Sequence, residues 1–371
     1  MESNCQQLNS RLLSLYQHIA SSIKDANLVS SPLSVYVCFA MLAEGTSGQS
    51  LKELQQAFGY QQGSEILSDE SRATLAAILH EDASKDASQG AIILMSNSLY
   101  TNEKIKVEQS YQDTLSKKYN AIAKSVDFGD PKTLADINSR ITEATNGLLK
   151  DTVSSLDAMT VCVLINTIYF KGLWKQPFIK DDTYQGDFHK SDGTTQKVDF
   201  MKNNEMWASV ITKDDCLYLA LPYKGDRMCF VVEMPADKQL KASSQENIIM
   251  VANTADMKSI VVLPKFKAEV KLNLIDILKK VGIQTIFQPS GDFNKICNGG
   301  EIEVSEVIHQ AFIQVDEEGT EAAAATVIKM RLLGYVEKPR AVIDRPFHYH
   351  IVDKQNGIIM FSGKIECPEF K

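Results

Sequence analysis

The side chains that could do chemistry in this chain do not form a known catalytic set. Acyl-transfer enzymes present a serine on a strained Gly-x-Ser-x-Gly turn, or combine a cysteine with histidine and asparagine. No Gly-x-Ser-x-Gly occurs in the sequence. Ser21 and Lys24 match the short Ser-x-x-Lys pattern, but they fall on a predicted amphipathic helix without companion motifs. We therefore predict that the chain is not an enzyme.

The histidines and glycines do not indicate a metal or nucleotide site. His348 and His350 alternate along a predicted strand, where they share a face but lack further ligands at zinc spacing. Neither Gly-x-x-x-x-Gly-Lys-Ser/Thr nor Gly-x-Gly-x-x-Gly occurs. The formal net charge of -8 disfavours binding to phosphate-rich nucleic acid. We expect no cofactor, no metal and no nucleic-acid partner.

Residues 316–328 form the most unusual segment of the chain. They read Asp-Glu-Glu-Gly-Thr-Glu-Ala-Ala-Ala-Ala-Thr-Val-Ile, an acidic start followed by small residues and a β-branched end. Four consecutive alanines favour a helix, so a short helix or a flexible connector is one interpretation. The other is a segment that occupies two positions, as an exposed loop and as a strand inserted between packed neighbours, where only small side chains fit. Composition alone favours the first interpretation.

Hydrophobic periodicity predicts helices near the start of the chain and strands in most of the remainder. Apolar residues recur at helical spacing from Leu8 to Ile23. Further helices are predicted at residues 33–42, 50–58, 139–149 and 274–281, and strands at residues 91–100, 161–170, 216–221, 228–234 and 259–266. The apolar run 161–170 is typical of a central strand covered on both faces. Because no linker or repeat interrupts the chain, we predict a single α+β domain spanning residues 1–371.

The composition, with 44% apolar and 23% charged residues, is typical of a soluble globular protein. No run approaches the roughly 20 apolar residues that a membrane span needs. No signal-peptide pattern and no Asn-x-Ser/Thr acceptor occur, so we expect a cytoplasmic protein or one exported by an unconventional route. The seven cysteines lack paired spacing, which predicts mostly buried free thiols.

Several motifs occur in an order that resembles one protein family. The segment from Glu317 to Thr326 is followed by Asp344-Arg345-Pro346-Phe347 and by Phe361-x-Gly363. Earlier motifs are Asn27 with Ser31-Pro32-x-Ser34, Asn166-x-x-Tyr169-Phe170-Lys171-Gly172-x-Trp174-x-x-Pro177-Phe178, Leu221-Pro222-Tyr223 and Leu263-Pro264-Lys265-Phe266. Together they resemble the serpins over nearly the whole chain. The resemblance implies a serpin fold with three β-sheets, about nine helices and an exposed reactive-centre loop at about residues 317–343.

The resemblance also implies a function, the inhibition of serine proteases by a suicide mechanism. A protease cuts the loop and forms a covalent acyl-enzyme, and the cut loop then inserts into the main sheet before water can release the enzyme. The hinge residues implied are Glu317, Gly319, Thr320, Glu321, Ala322, Ala323, Ala324, Ala325 and Thr326. Non-inhibitory serpins often carry charged or bulky hinge residues. Here the hinge residues that would face inward on the inserted strand are small and uncharged, namely Thr320, Ala322, Ala324 and Thr326, and Glu321 would point to solvent. We therefore predict an inhibitor; the alternative is a non-inhibitory serpin that acts as a chaperone or binding protein.

The position of the scissile bond follows from the family's spacing. Fourteen residues beyond Gly319 lies Leu333, which places the cut between Leu333 and Gly334. A leucine suits a hydrophobic primary pocket, so we expect chymotrypsin-like, elastase-like or cathepsin G-like targets. Cleavage between Arg331 and Leu332 remains an alternative that would select a trypsin-like enzyme. A longer reading of the loop would bring Lys338 or Arg340 to the same position.

Residues in the body of the protein also match family positions. Trp174 matches the site where the loop enters the sheet. The positions that match a hydrogen-bond cluster behind the opening sheet are Ser31, Ser34, Asn166 and His309. Residues 59–90 contain no basic cluster, so we expect no activation by heparin. The expected inhibitor is a monomer that binds neither membrane nor nucleic acid.

Overall fold

The computed structural model describes residues 4–24, 26–60, 90–298, 301–320 and 338–370. The helices in these ranges are α1 (Asn4–Ser22), α2 (Pro32–Gly45), α3 (Gly48–Phe58), α4 (Gln109–Tyr119), α5 (Pro131–Ala144), α6 (Gln245–Asn253) and α7 (Ile275–Lys280). The strands are β1 (Leu28–Ser30), β2 (Ala91–Asn102), β3 (Ile122–Val126), β4 (Cys162–Leu173), β5 (Tyr184–His189), β6 (Thr195–Lys213), β7 (Cys216–Pro222), β8 (Met228–Pro235), β9 (Met257–Pro264), β10 (Phe266–Asn273), β11 (Glu306–Val315), β12 (Gly319–Thr320), β13 (Arg340–Val342), β14 (Phe347–Asp353) and β15 (Ile358–Ile365).

A six-stranded sheet carries the features that matter most for function. Its order is β10-β11-β4-β2-β3, and the short β12 pairs with β4. Strands β11 and β4 are parallel and pair directly from Glu306 opposite Val163 to Phe312 opposite Tyr169. Strand β2 pairs antiparallel with the other edge of β4. Along these seven residue pairs the sheet is therefore closed between β11 and β4.

Strand β4 is covered on both faces, as its apolar sequence predicts. Leu164 and Ile168 point into the main hydrophobic core, whereas Ile165 and Tyr169 join a second cluster. That second cluster includes Ile137 from α5. Because alternate residues of a strand point to opposite faces, a strand buried on both faces has to be apolar throughout.

The remaining strands form a nine-stranded assembly in which β6 connects two sheets. The order is β1-β15-β14-β8-β7-β6-β9-β13, and β5 also pairs with β6. The first part of β6 pairs with β5, its middle with β9 and its last part with β7. With the six-stranded sheet, this arrangement confirms the predicted three-sheet α+β fold. Seven α-helices lie in the described ranges, against the nine or so expected.

Two predicted elements have the wrong boundaries. The helix predicted at residues 139–149 is α5, which begins at Pro131 and ends at Ala144. It starts early because the side chain of Asp130 accepts a hydrogen bond from the backbone N–H of Lys132, directly ahead of a proline that suits the first helical turn. The strand predicted at residues 259–266 is two strands, since β9 ends at Pro264 and β10 begins at Phe266.

The cysteines confirm the thiol prediction. All seven are free, and Cys38, Cys162, Cys216, Cys229 and Cys297 are buried. Among the described helices, none combines the length and the apolar character that crossing a bilayer requires.

Candidate functional site at the end of strand β4

The hinge begins as a tight hairpin at one end of the six-stranded sheet. After β11 the chain reverses at Glu317 and Glu318, where reciprocal backbone hydrogen bonds of 2.9 and 3.3 Å join Asp316 and Gly319. Strand β12 then pairs antiparallel with β4, with Gly319 opposite Leu173 and Thr320 opposite Gly172. The first two residues after the turn therefore already occupy strand positions beside β4.

Gly319 is required by the geometry of this hairpin. Its φ of +139° lies in a region that residues with a side chain rarely adopt. A Cβ at this position would lie 2.1 Å from the carbonyl oxygen of Gly172 and 2.7 Å from the Cα of Leu173. Both neighbours are backbone atoms and cannot rotate away. A side chain at residue 319 would therefore push β12 off the edge of β4.

Trp174 holds the hairpin in place. Its backbone N–H donates to the carbonyl oxygen of Glu318 at 3.0 Å, and its indole Nε1–H donates to the carbonyl oxygen of Asp316 at 2.9 Å. The indole is 4% exposed and stacks on Tyr223, with 4.7 Å between ring centroids and 6° between planes. Two hydrogen bonds, one from each N–H of Trp174, thus join the turn to the stacked pair of Trp174 and Tyr223.

The Glu317 side chain is the charged anchor of the hairpin. Thr183 Oγ1–H donates to Oε1 at 2.8 Å, and Lys265 Nζ lies 3.0 Å from Oε2. Burial favours the neutral acid, but the hydrogen bond from Thr183 and the ion pair with Lys265 outweigh it and lower the pKa of Glu317. The glutamate therefore stays ionised, and it fixes the turn against the strand pair β9–β10.

Glu318 adds an ion pair on the outer side of the turn. Its Oε1 lies 2.7 Å from Nζ of Lys180, which is largely exposed. The hydrogen bond that Lys180 donates to Glu318, followed by the negative charge of that carboxylate, raises the pKa of Lys180. Since exposed ion pairs contribute little, the turn is held mainly by Trp174 and Glu317.

A buried polar cluster lies further along the same strands, centred on Asn166. Its Oδ1 accepts hydrogen bonds from Ser34 Oγ at 2.8 Å and from His309 Nδ1 at 2.6 Å. Its Nδ2 donates to Asn97 Oδ1 at 2.6 Å and to the carbonyl oxygen of Ser34 at 3.2 Å. Ser31 Oγ donates to the carbonyl oxygen of Met360 and caps α2 by accepting from the backbone N–H of Ser34. One carboxamide thus joins β2, β4, β11 and α2.

His309 is neutral in this cluster. The backbone N–H of Ser31 points to its Nε2 at 3.4 Å, so Nε2 is the acceptor and Nδ1–H donates to Asn166. Burial in the core lowers its pKa from 6.5 to about 4. A proton on Nε2 would face the N–H of Ser31 and remove that hydrogen bond.

The structure brings the predicted body residues together in two groups. Trp174 contacts the hinge turn, and Ser31, Ser34, Asn166 and His309 form one hydrogen-bonded cluster. Their roles in sheet opening stay predictions. The hinge residues in the described part are Glu317, Gly319 and Thr320. The hinge and cleavage positions that lie outside the described residues are Glu321, Ala322, Ala323, Ala324, Ala325, Thr326, Arg331, Leu332, Leu333 and Gly334. Most of the segment 59–90, which bears on heparin binding, also lies outside them.

Sequence reasoning missed several residues of the site, among them Thr183 and Lys180, which bind the turn. Lys265 and Tyr223 stand in the motifs Leu-Pro-Lys-Phe and Leu-Pro-Tyr, which marked them without indicating a partner. Asn97 lies in a predicted strand and carried no signal of its own. A buried polar residue on an apolar strand requires a hydrogen-bond partner, and this rule could have marked Asn97.

Comparison with known proteins identifies the family. A family model described as Serpin (serine protease inhibitor) matches residues 6–368. The chain belongs to the serpin family. Members of this family are generally protease inhibitors that form covalent complexes with serine proteases.

Individual serpins resemble this chain over nearly its whole length. A serpin-like protein of Thermococcus kodakarensis is 31% identical, with 98% of this chain and 85% of that protein covered. Neuroserpin of Gallus gallus is 28% identical, with 96% and 90% covered. The structure of Serpin48, described as a highly specific serpin of the insect Tenebrio molitor, matches with a TM-score of 0.82 at 25% identity and covers 100% of both chains.

A further solved structure matches this serpin in fold alone. Human thyroxine-binding globulin, complexed with thyroxine, gives a TM-score of 0.85 at 21% identity, with 99% of this chain and 100% of that chain covered. The serpin fold therefore also occurs in a protein whose structure was solved with bound thyroxine.

Proposed function

We propose that this serpin is an inhibitor of serine proteases that acts as a suicide substrate. The observation that carries the proposal is the pairing of Gly319 and Thr320 with β4, beyond the point where β11 and β4 pair directly with each other. The hairpin at Glu317 and Glu318 already reverses the chain direction, as a strand inserted antiparallel to β4 requires. Insertion would then extend β12 along β4 and displace β11 step by step.

In the proposed reaction the loop is cut once and stays attached to the enzyme. The protease serine adds to the carbonyl carbon of Leu333, and the bond to the nitrogen of Gly334 breaks. That nitrogen leaves as the amine of the new N-terminus, with a proton delivered by the enzyme's histidine. Leu333 remains as an ester on the serine. Inhibition results if insertion moves and distorts the enzyme before water hydrolyses that ester.

The residue pattern that follows Thr320 supports insertion. On a strand that continues from Thr320, the side chains that share its face are Ala322, Ala324, Thr326, Ile328 and Met330. Ala322, Ala324 and Thr326 are small enough to enter a closed sheet, and on such a strand Glu321 would point to the other face. An inserted strand would add on the order of ten backbone hydrogen bonds, each contributing about 0.5–1.5 kcal/mol.

We propose Leu333 as the residue that enters the primary pocket of the protease. Chymotrypsin-like, elastase-like and cathepsin G-like enzymes have pockets that accept an apolar side chain. Arg331 would instead select a trypsin-like enzyme. The proposed inhibitor is monomeric, is independent of heparin and acts in the cytoplasm or after unconventional export.

One experiment tests both the mechanism and the cut. The protein is incubated separately with chymotrypsin and with trypsin, boiled in detergent, and the released C-terminal peptide is sequenced. We expect a complex with chymotrypsin that survives boiling, and a new N-terminus at Gly334. A peptide starting at Leu332 would move the bait to Arg331. Cleavage without a stable complex, and without a gain in heat resistance of the nicked chain, would favour a non-inhibitory binding protein.

A further inference from the structure

An exposed tryptophan lies beside the point where the reactive-centre loop rejoins the body. Trp207 on β6 is 48% exposed, whereas Trp174 is 4% exposed. A large apolar ring at the surface suits contact with another protein, and tryptophan is enriched among the residues that dominate binding energy at interfaces. Lys258, its neighbour across the strand pair, places Nζ 5.9 Å from the centre of the indole.

A β-bulge positions the residues around this ring. Asn203 pairs with Val261 and Met206 pairs with Ser259, so β6 contains one extra residue relative to β9. Bulges redirect side chains and occur frequently near functional sites. Here the bulge includes Glu205, whose backbone N–H donates to Asn203 Oδ1 at 2.8 Å.

The side chain of Gln176 fixes the backbone on both sides of Met206, at Glu205 and at Trp207. Its Nε2 donates to the carbonyl oxygen of Glu205 at 3.1 Å, and its Oε1 accepts from the N–H of Trp207 at 3.0 Å. The strand segment that carries the indole is therefore held before any partner arrives. Such preorganisation reduces the ordering cost of binding.

This surface is directly attached to the end of the loop. Lys338, the first residue that the structure describes near the end of the loop, forms an ion pair with Glu205, and Lys258 Nζ lies 3.4 Å from the other carboxylate oxygen. We call Glu205, Trp207, Lys258 and Lys338 the foot patch. Gly334 precedes Lys338 by only four residues, a span of at most about 14 Å when extended.

The short span brings any enzyme on the loop over the foot patch. A protease domain of roughly 250 residues has a radius of gyration of about 18 Å. An enzyme of that size that holds the bond between Leu333 and Gly334 is wider than the span from Gly334 to Lys338. Its surface beside the active-site cleft must therefore face the foot patch.

The charges of the patch indicate what that enzyme surface carries. Lys258 and Lys338 share the single carboxylate of Glu205. Two cations against one anion give the foot patch a formal charge of +1 on a chain whose net charge is -8. A surface that complements it is acidic around an apolar centre.

We propose that the foot patch is a second docking surface for the target protease, and that it recognises an acidic and partly apolar region beside the enzyme's cleft. Trp207 supplies the apolar contact, and Lys258 with Lys338 supplies the charge. The proposal rests on the proposed inhibitory function. The patch would speed the formation of the first complex and would leave the later partition between inhibition and hydrolysis unchanged.

The test measures two quantities that separate these steps. The association rate constant and the stoichiometry of inhibition are determined with chymotrypsin, elastase and cathepsin G at 50 and 300 mM NaCl. For Trp207→Ala we expect the rate with at least one enzyme to fall fivefold or more, with unchanged stoichiometry. Lys258→Glu should lower the same rate and weaken its salt dependence. Met159→Ala, which truncates an 84% exposed methionine near the opposite end of β4, should change neither quantity.

The outcomes distinguish this proposal from the one on which it rests. If the wild type forms complexes and both foot-patch variants keep rates within twofold of it for all three enzymes, the docking surface is wrong and the inhibitory function stands. If the wild type forms no complex with any enzyme, the inhibitory function fails, and the foot-patch proposal fails with it. A thermal midpoint of Trp207→Ala equal to that of the wild type shows that a slower rate is not a folding defect.

Discussion

Nδ1 of His309 lies 2.6 Å from Oδ1 of Asn166, the residue directly beside it on the neighbouring parallel strand. This bond crosses the boundary between β11 and β4, which insertion of the loop would have to open. Its donor is a buried histidine that is neutral when the bond forms. A proton on Nε2 would remove the hydrogen bond from Ser31, so the cluster at this boundary is linked to pH through His309.

Acid should weaken the native fold through His309. Its folded-state pKa of about 4 lies below the ordinary value of 6.5, so the unfolded chain binds the proton more readily. The contribution to stability is complete above pH 6.5 and is lost as pH falls from 6.5 toward 4. A shift of this size corresponds to on the order of 3 kcal/mol. Urea unfolding measured at pH 7.5, 5.5 and 4.5 should show the loss.

The variant His309→Gln separates this effect from other titrations. It cannot bind the proton, so the difference in unfolding free energy between wild type and variant should be largest at pH 7.5 and should shrink toward pH 4.5. His348, whose pKa is also lowered by burial to about 4, remains in both proteins and cancels in the comparison. A difference that is constant with pH would contradict the assignment to His309.

Gly319→Ala should turn the inhibitor into a substrate. The new Cβ would clash with the carbonyl oxygen of Gly172 and displace β12 from β4. Insertion would start later, and more of the acyl-enzyme would be hydrolysed. We expect the stoichiometry of inhibition with chymotrypsin to rise at least twofold. Gly193→Ala is the matched control, because Gly193 has a φ of +83° but no atom within 4 Å of an added Cβ; an equal rise in both variants would mean that the clash is irrelevant.

Trp174→Phe should loosen the hinge turn. Phenylalanine keeps an aromatic ring against Tyr223 but loses the indole N–H that donates to Asp316. We expect a loss of about 1 kcal/mol in unfolding free energy, since the buried carbonyl oxygen of Asp316 loses the shorter of its two hydrogen bonds and keeps only the one from Gly319. The same change at the other tryptophan, Trp207→Phe, affects an exposed ring and should cost less than about 0.5 kcal/mol. Chemical denaturation of the two variants compares them directly, and equal losses would contradict the assigned role of the indole.

Leu333→Arg should redirect the inhibitor to trypsin. An arginine suits a primary pocket with a carboxylate at its base and is rejected by an apolar pocket. We expect the association rate with chymotrypsin to fall a hundredfold or more, while trypsin forms a complex that survives boiling. The peptide released by trypsin should begin at Gly334. If it begins at Leu332 and the chymotrypsin rate is unchanged, Arg331 is the bait.

The sequence predicted the parts of this fold that depend on local pattern. The run around Ile165 and Ile168 is apolar at consecutive positions, and a strand covered on both faces is the arrangement that buries it. The ordered motifs indicated the family, and the family resemblance in turn implied that Ser34, Asn166 and His309 lie close together. Their polar side chains on apolar elements agree with a satisfied buried cluster.

The parts that could not be predicted depend on contacts between distant segments. The ion pair of Lys265 with Glu317 joins residues 52 positions apart, and neither side chain carries a mark of its partner. The bulge at Glu205 also escaped prediction, because an extra residue in one strand is defined only relative to its neighbour. The start of α5 was misplaced for a local reason. Asp130 caps a helix that begins at Pro131, eight residues before the predicted start at residue 139.

The direction in which β11 and β4 run has a thermodynamic consequence. They are parallel neighbours, and parallel pairing is slightly less stable per residue than antiparallel pairing. The reversal at Glu317 and Glu318 means that a strand continuing from β12 opposes the direction of both. A strand inserted between them would replace one parallel set of backbone hydrogen bonds, which are slanted, with two antiparallel sets, which are perpendicular to the strands. In the proposed mechanism, part of the free energy that would drive trapping thus comes from strand polarity, independently of the side chains.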